Sequence, residues 1–414
     1  MLNIDPVMRD RARRVIAECR RIACMTEEPG RTTRRFLTSP VHDVHAHLCA
    51  RMAALGMTIH VDGVGNLHGL WQPREESGKR LILGSHIDTV PNAGAFDGVL
   101  GVVLALELVE IAQEMALPFS IEIIAFSEEE GVRYGVPFIG SRAVAGALDP
   151  ALLDLKDAEG VTLEDAIRAF GLNPEEIVDA ALSEDELGFV EMHIEQGPVL
   201  ESEGLSVSAV SAIVGQKRLS LEFTGRANHA GTTPMNLRQD ALTAAAEWIV
   251  AVETLALQTE KLVATVGKIA VEPSAGNVIP GSAQVSLDLR HPDDGVRATS
   301  VETLLAQANA IASRRRVTLK WKGQSDQPAV PMDERLTAFM MEAIEAAGYP
   351  AKVMPSGAGH DAMVMAARVP TAMLFLRSPG GISHNPDEAV REDDVEAALQ
   401  VGRKFLGRLA KESC

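Results

Sequence analysis

Four short apolar runs, each closed by imidazole or carboxylate residues, constrain this chain more than any other feature. Leu81 to Leu83 leads into GSHIDTV, Ile121 to Phe126 leads into SEEEG, Phe189 to Ile194 carries EMHIEQG, and Ala372 to Leu376 leads into RSPGGISHNP. Longer helical patterns separate them. Short strands alternating with helices are the pattern of an α/β domain with a mainly parallel sheet. Ligand crevices in such open sheets lie at the carboxyl ends of the strands, so the four polar ends can converge on one site.

Between residues 213 and 327 the pattern changes. A strand from Arg218 to Thr224 is followed by a helix from Asp240 to Leu257 and by strands from Leu262 to Val271 and from Ala283 to Leu289. A helix from Arg297 to Ser313 and a strand from Val317 to Trp321 complete the order βαββαβ, which is ferredoxin-like. Helix and strand patterns resume after Pro328. The expected organisation is a discontinuous domain of residues 1–212 and 328–414, interrupted by a small domain of residues 213–327. A chain of 414 residues with 46% hydrophobic content can bury both cores. The stretch from Asp149 to Glu186 reads as acidic and helical, covering one face.

Charge narrows the partners. With 39 Lys+Arg against 57 Asp+Glu the chain carries a net charge of −18, which repels a phosphate backbone, and nucleic acid is not expected as a partner. An anionic substrate needs a local positive site. Cys19, Cys24, Cys49 and Cys414 show neither C-x-x-C spacing nor disulfide-framework density, which fits a reducing compartment and leaves no cysteine zinc knot. The start, MLNIDPVMRDRARRVIAECRR, has charges and apolar residues at helical spacing rather than the apolar centre of a secretory signal. No run approaches 18 apolar residues, so no membrane span is expected. The expected location is the cytoplasm.

The chemistry is concentrated in His86, Asp97, Glu129, Glu130, His193 and His384, drawn from five segments. Imidazole and carboxylate donors without thiolate suit zinc, manganese, cobalt or nickel. Asp88, two residues beyond His86, can accept the proton of the other ring nitrogen and fix the tautomer of a metal-bound histidine. Asp97 lies among the glycines of NAGAFDGVLG, where one carboxylate can bridge two metals. Glu129 and Glu130 are adjacent after a strand, so one can bind metal while its neighbour faces the attacking water. Each of these residues has an ordinary reading in isolation: a satisfied polar strand end, a solvated acidic run, a turn at HNP. Only the combination is specific. His42, His45 and His47 do not share one helical face and His60 and His68 flank a hairpin, so none is assigned to metal. Cys49, Met363 and Met365 are assigned to packing.

These motifs resemble the hydantoinase/carbamoylase branch of the aminoacylase-like dimetal amidohydrolases. The ordered set EPGRTTRRFL, VGNLHG, GSHIDTV, FDGVLG, SEEEGVRY, HIEQGPVLE, AIVGQ, NHAGTTPM, NVIPG, DLRHP, SGAGHDAM and GGISHNPDE spans nearly the whole chain. The resemblance implies a dimetal-peptidase-like catalytic domain and an inserted lid that also makes a homodimer. It implies two divalent ions, zinc or else manganese, cobalt or nickel. His86, Asp97 and His193 would hold one ion, and Asp97, Glu130 and His384 the other, with Glu129 as general base. The implied substrate contacts are Gln196, His229, Asn277, Arg290, Gly359 and His360. His229 would also stabilise an oxyanion, and Arg290 would pair with a substrate carboxylate.

The activity so implied is hydrolysis of the carbamoyl C–N bond of a small anionic ureido acid, either allantoate or an N-carbamoyl-L-amino acid, releasing ammonia and carbon dioxide. The competing readings are an aminoacylase or peptidase on the same scaffold and a catalytically silent binding protein. A dinucleotide-binding protein is not among them, because G-x-G-x-x-G after the first strand is missing.

Overall fold

The computed structural model describes residues 6–74, 78–182 and 186–413. Cys414, the first five residues of the amino-terminal segment and residues 183–185 of the acidic stretch lie outside them. In chain order the strands begin with β1 (Thr58–Val61), β2 (Leu67–Trp71), β3 (Arg80–His86), β4 (Ser120–Phe126), β5 (Glu186–Ile194) and β6 (Val207–Ile213). Then come β7 (Gly215–Thr224), β8 (Asn228–His229), β9 (Val263–Thr265), β10 (Ile269–Glu272), β11 (Val278–Ile279), β12 (Ser282–His291) and β13 (Thr318–Gln327). The last are β14 (Val330–Pro331), β15 (Val353–Ser356) and β16 (Thr371–Leu376). The chain forms two compact units, Met1–Ser211 with Met332–Cys414, and Ala212–Pro331.

In the first unit the sheet runs β1-β2-β4-β3-β5-β16-β6, with β15 also on β6. The middle four, β4-β3-β5-β16, are parallel to one another and are the four apolar runs singled out above. The flanking pairs are antiparallel. Adjacency and common direction put all four carboxyl ends on one edge. Every residue of β4, SIEIIAF, is buried, as in a strand covered on both faces. The helix Val99–Ala112 has no polar stripe and is buried at every position but Glu110. Its buried Glu107 accepts from Arg11, Arg14 and Arg51 at 3.0, 2.9 and 3.3 Å, which offsets the desolvation of the carboxylate.

His60 and His68 face each other across the β1–β2 hairpin with rings stacked at 4.4 Å. His68 is buried, 2.8 Å from Glu122 and 3.3 Å from Asp62, which explains a lone glutamate inside the apolar β4. The acidic stretch resolves into three short helices, Pro150–Asp154, Leu163–Ala169 and Pro174–Ala180, capped by the side chains of Asp149, Thr162 and Asn173.

The second unit has the sheet β10-β12-β7-β13, antiparallel throughout, with β9 also on β12. Its carboxyl boundary falls after Pro331 rather than after Gln327. The strand read from Leu262 to Val271 is in fact two. Thr265 pairs with Asp288 and Ile269 with Val285, so this chain spends one residue more than its partner around Gly267, a bulge that breaks the ladder. The helices Ala241–Gln258 and Asp294–Arg315 cover the sheet, and the buried Trp248 indole donates to the Leu304 carbonyl at 2.9 Å. The helix Ala241–Gln258, though interrupted by Glu247 and Glu253, is long and apolar enough to cross a membrane by length and composition alone. Its apolar stripe, Ala241, Ala244, Ala245, Trp248 and Val252, is buried in the core of this unit.

Candidate metal centre

The site begins with two strand ends. β3 ends at His86, whose Nδ1 lies 3.0 Å from the carbonyl oxygen of Asp88, and β5 carries His193, whose Nδ1 lies 2.9 Å from the carbonyl oxygen of Ile194. A carbonyl only accepts, so each ring keeps a proton on Nδ1 and turns its Nε2 inwards, where it can serve as a metal ligand. The two Nε2 atoms face each other at 3.5 Å, and both residues are buried.

Asp97 divides its oxygens between two sets of donors. Oδ1 lies 3.7 Å from His86 Nε2 and 3.2 Å from His193 Nε2, while Oδ2 lies 3.2 Å from His384 Nε2. His384 Nε2 is in turn 3.5 Å from Glu130 Oε1. Asp97 Oδ1 and Glu130 Oε1 are buried without a hydrogen-bond partner. Orphaned buried acceptors beside imidazole nitrogens are costly unless a cation lies among them. The residues therefore fit two divalent ions. The donor atoms of His86, Asp97 and His193 lie within 4.8 Å of one another, as do those of Asp97, Glu130 and His384 and those of His86, Glu129 and Glu130. A further grouping, Glu191 with His193 and His360, is already committed: Glu191 accepts from Ser85 Oγ at 2.9 Å and from the Ala362 amide at 2.8 Å.

Backbone geometry makes the approach possible. Gly98, next to Asp97, has φ of +68°, and a Cβ there would sit 2.4 to 2.5 Å from the His86 ring. Only glycine permits both the conformation and the contact.

Asp88 departs from the sequence expectation. Its carboxylate is 3.5 Å from His86 Nδ1, while the ring proton goes to Asp88's own backbone carbonyl. The carboxylate instead accepts the amides of Glu129 at 2.9 Å and Glu130 at 3.0 Å, one on each oxygen. It orients the two glutamates more than the histidine. Burial, together with the nearby Asp361, Glu130 and Asp88, pushes the Glu129 carboxyl well above the usual carboxylate range against the pull of His86. Burial with Asp97 and Asp88 pushes Glu130 up to about 7. Such crowding of carboxyl groups is what bound cations relieve.

Several groups here were not legible in the sequence. Glu388 Oε1 accepts the amides of Phe96 and Asp97 at 2.9 and 3.0 Å, and its Oε2 accepts from Ser383 Oγ at 3.1 Å, so it sets the Asp97 loop from almost three hundred residues away. Glu191 had a signal: it stands two residues before His193 on β5, hence on the same face. Gln196, with φ of +58°, donates through Nε2 to Asp97 Oδ2 at 3.1 Å and leaves Oε1 buried without a partner. His360 is buried, 2.9 Å from Ser356 Oγ, with its ring edge-on to His193 at 4.5 Å. Burial and His193 keep it neutral, well below the usual histidine range. A Cβ on Gly359 would meet the Phe138 ring at 2.9 Å.

In the second unit, His229 and Asn277 are brought together. β8 pairs with β11 so that His229 faces Val278, and the Ala230 amide donates to the Asn277 carbonyl at 2.9 Å. His229 Nδ1 accepts the Gly231 amide at 3.0 Å, which leaves the proton on an exposed Nε2 as a free donor. Arg290 is not an unengaged cation: its Nε and Nη2 donate to Asp288 at 2.9 and 3.1 Å, and Arg218 shares that carboxylate.

The peptidase family M20/M25/M40 matches residues 82–408. The chain is 38% identical to an allantoate deiminase of Arabidopsis thaliana, covering 86% of this chain and 74% of that one. It is 36% identical to an N-carbamoyl-L-amino acid amidohydrolase of Geobacillus stearothermophilus, covering 92% and 94%. The crystal structure of an amidase of the hydantoinase/carbamoylase family from Burkholderia multivorans superposes with a TM-score of 0.89 at 30% identity, covering 99% of both chains. With the fold, the converging strand ends and these likenesses together, the chain belongs to the peptidase family M20/M25/M40 and to its hydantoinase/carbamoylase branch of amidohydrolases.

Proposed function

We propose that this protein hydrolyses the carbamoyl C–N bond of a ureido acid, either allantoate or an N-carbamoyl-L-amino acid, with two divalent ions. The observation that carries the reading is the division of Asp97 between two sets of imidazole and carboxylate donors, with the buried Glu129 beside them. The names of the relatives support the ureido substrate.

His86, His193 and Asp97 would hold one ion, and Asp97, Glu130 and His384 the other. The ions, zinc or else manganese, cobalt or nickel, would polarise the carbonyl and lower the pKa of water from about 15.7 towards about 7. Glu129 takes the proton of the attacking water and hands it to the departing nitrogen. Asp88 holds Glu129 for this through its amide. His229, with its Nε2 proton free, donates to the developing oxyanion, and Asn277, Gln196, Gly359 and His360 contact the substrate. Arg290 pairs with the substrate carboxylate, its fork matching that anion, with Asp288 holding the guanidinium in place. Strand β13 stands at an edge of its sheet with Trp321 52% exposed, which supports a homodimer formed through the second unit.

The test is ammonia release from allantoate, N-carbamoyl-L-amino acids and N-carbamoyl-β-alanine, after reconstitution with zinc, manganese, cobalt or nickel, beside the matching N-acetyl amino acids. Turnover of a ureido acid supports the assignment. Turnover of only the N-acetyl compounds replaces it with an aminoacylase, and no turnover with any metal overturns it.

A further inference from the structure

We infer that the open groove between the helices Glu334–Ala346 and Glu392–Ser413 of the first unit is a second ligand site, shaped for a small organic polyanion. The groove encloses about 500 Å³, within the range of small-molecule sites, and four cations line it: Arg403, Lys404, Arg408 and Lys411. Arg408 is engaged, ion-paired with Glu342 at 2.6 Å and lying 3.8 Å over the Phe339 ring. Arg403, Lys404 and Lys411 have no ion-pair or hydrogen-bond partner among the described residues. In a chain of net charge −18, three unpaired cations on one concavity stand out from the acidic surroundings. Glu342 is the one carboxylate in the lining, and Arg408 occupies it.

Gly407 is the second, independent observation. Glycine inside a helix costs about 1 kcal/mol relative to alanine and so calls for a reason. Gly402 in the same helix has one, because a Cβ there would come 2.6 Å from Leu108. A Cβ on Gly407 would meet only Met115 at 3.6 Å, an ordinary contact. Packing within the chain does not require glycine at 407; its effect is to keep the groove floor low between the cations. That floor, with Met115 and Ala343, is apolar and fits a short carbon skeleton, while the ammonium and guanidinium groups suit phosphate or carboxylate ends. Volume, free charge and an unfilled floor point to the same occupant.

The experiment is isothermal titration of the metal-loaded full chain with 2,3-bisphosphoglycerate, with inorganic phosphate as the second titrant and anionic phospholipid vesicles as a third arm. The expected result is one bisphosphoglycerate per chain with Kd of roughly 1 mM or tighter, weakened roughly tenfold or more in the Lys404→Glu/Lys411→Glu variant and in Gly407→Leu. Phosphate alone should bind more weakly, since it lacks the skeleton that covers the floor. Gly407→Leu separates a shaped cavity from diffuse charge, and the lysine variant lies on the surface and keeps the test valid should the leucine disturb folding. Absence of binding, full affinity in the lysine variant, full affinity in a folded Gly407→Leu, or binding to vesicles alone each overturns the site. None of these outcomes bears on ureido acid hydrolysis.

Discussion

His86 and His193 turn their Nε2 atoms towards each other at 3.5 Å, over an Asp97 oxygen that has no hydrogen-bond partner. Both orientations are set from behind by carbonyl groups, so neither ring can relieve the repulsion by changing tautomer without losing a hydrogen bond. Positive charge at the centre stabilises the arrangement, and a bound cation supplies it.

Chelation should therefore weaken the fold as well as abolish turnover. A ligand held at 100 times its Kd contributes about 2.7 kcal/mol by mass action, so the chelated protein should melt several degrees lower and recover when zinc or manganese is restored. Calorimetry with and without chelator measures this. An unchanged melting temperature would mean that the cluster holds no ion.

Glu129→Gln keeps the shape and the amide bond to Asp88 but removes the proton acceptor. Turnover should fall roughly 10²- to 10⁴-fold, with metal content retained. Kinetics paired with elemental analysis separates this from Asp97→Asn, which should lose metal. Loss of metal from both variants alike would make Glu129 a ligand rather than a base.

Gly98→Ala places a methyl group 2.4 Å from the His86 ring at a φ that favours glycine. Destabilisation of about 1–3 kcal/mol is expected from the backbone conformation, with displacement of the ring and weaker metal binding. Urea unfolding and metal titration read the two effects, and a variant indistinguishable from wild type in both would refute the steric argument.

The pH dependence of stability should carry the mark of His68. Burial opposes its charge, but Asp62 and Glu122 raise it from 6.5 to about 9. Because the folded value lies above the unfolded one, the stabilisation is full below 6.5 and is lost as pH rises through about 9. The contribution is on the order of 3 kcal/mol, and His68→Gln should flatten the decline. Urea unfolding of both proteins across this pH range tests it, and parallel curves would show that His68 is neutral in the fold.

Much of this was legible along the chain because it is local. β3, β4, β5 and β16 announce themselves by apolar runs that do not alternate, since both faces are covered, and each run ends in groups too polar to bury unpartnered. His86, Asp97, Glu129, Glu130, His193 and His384 could be singled out for that reason. The bulge between β9 and β10 could not, because it depends on the register of β12. Nor could the partners of Asp88: the sequence places it beside His86, but its carboxylate reaches the amides beyond β4.

Residue types and their periods thus dictated which segments become strands and which side chains must find a charge. Folding decided the rest: which ring nitrogen turns inwards, which oxygen of Asp97 serves which histidine, and that Glu388 holds the Asp97 loop. The physical reason is range. Burial and backbone preference act over a few residues, whereas a hydrogen bond needs its atoms within about 3 Å, and only the packed chain brings distant segments that close.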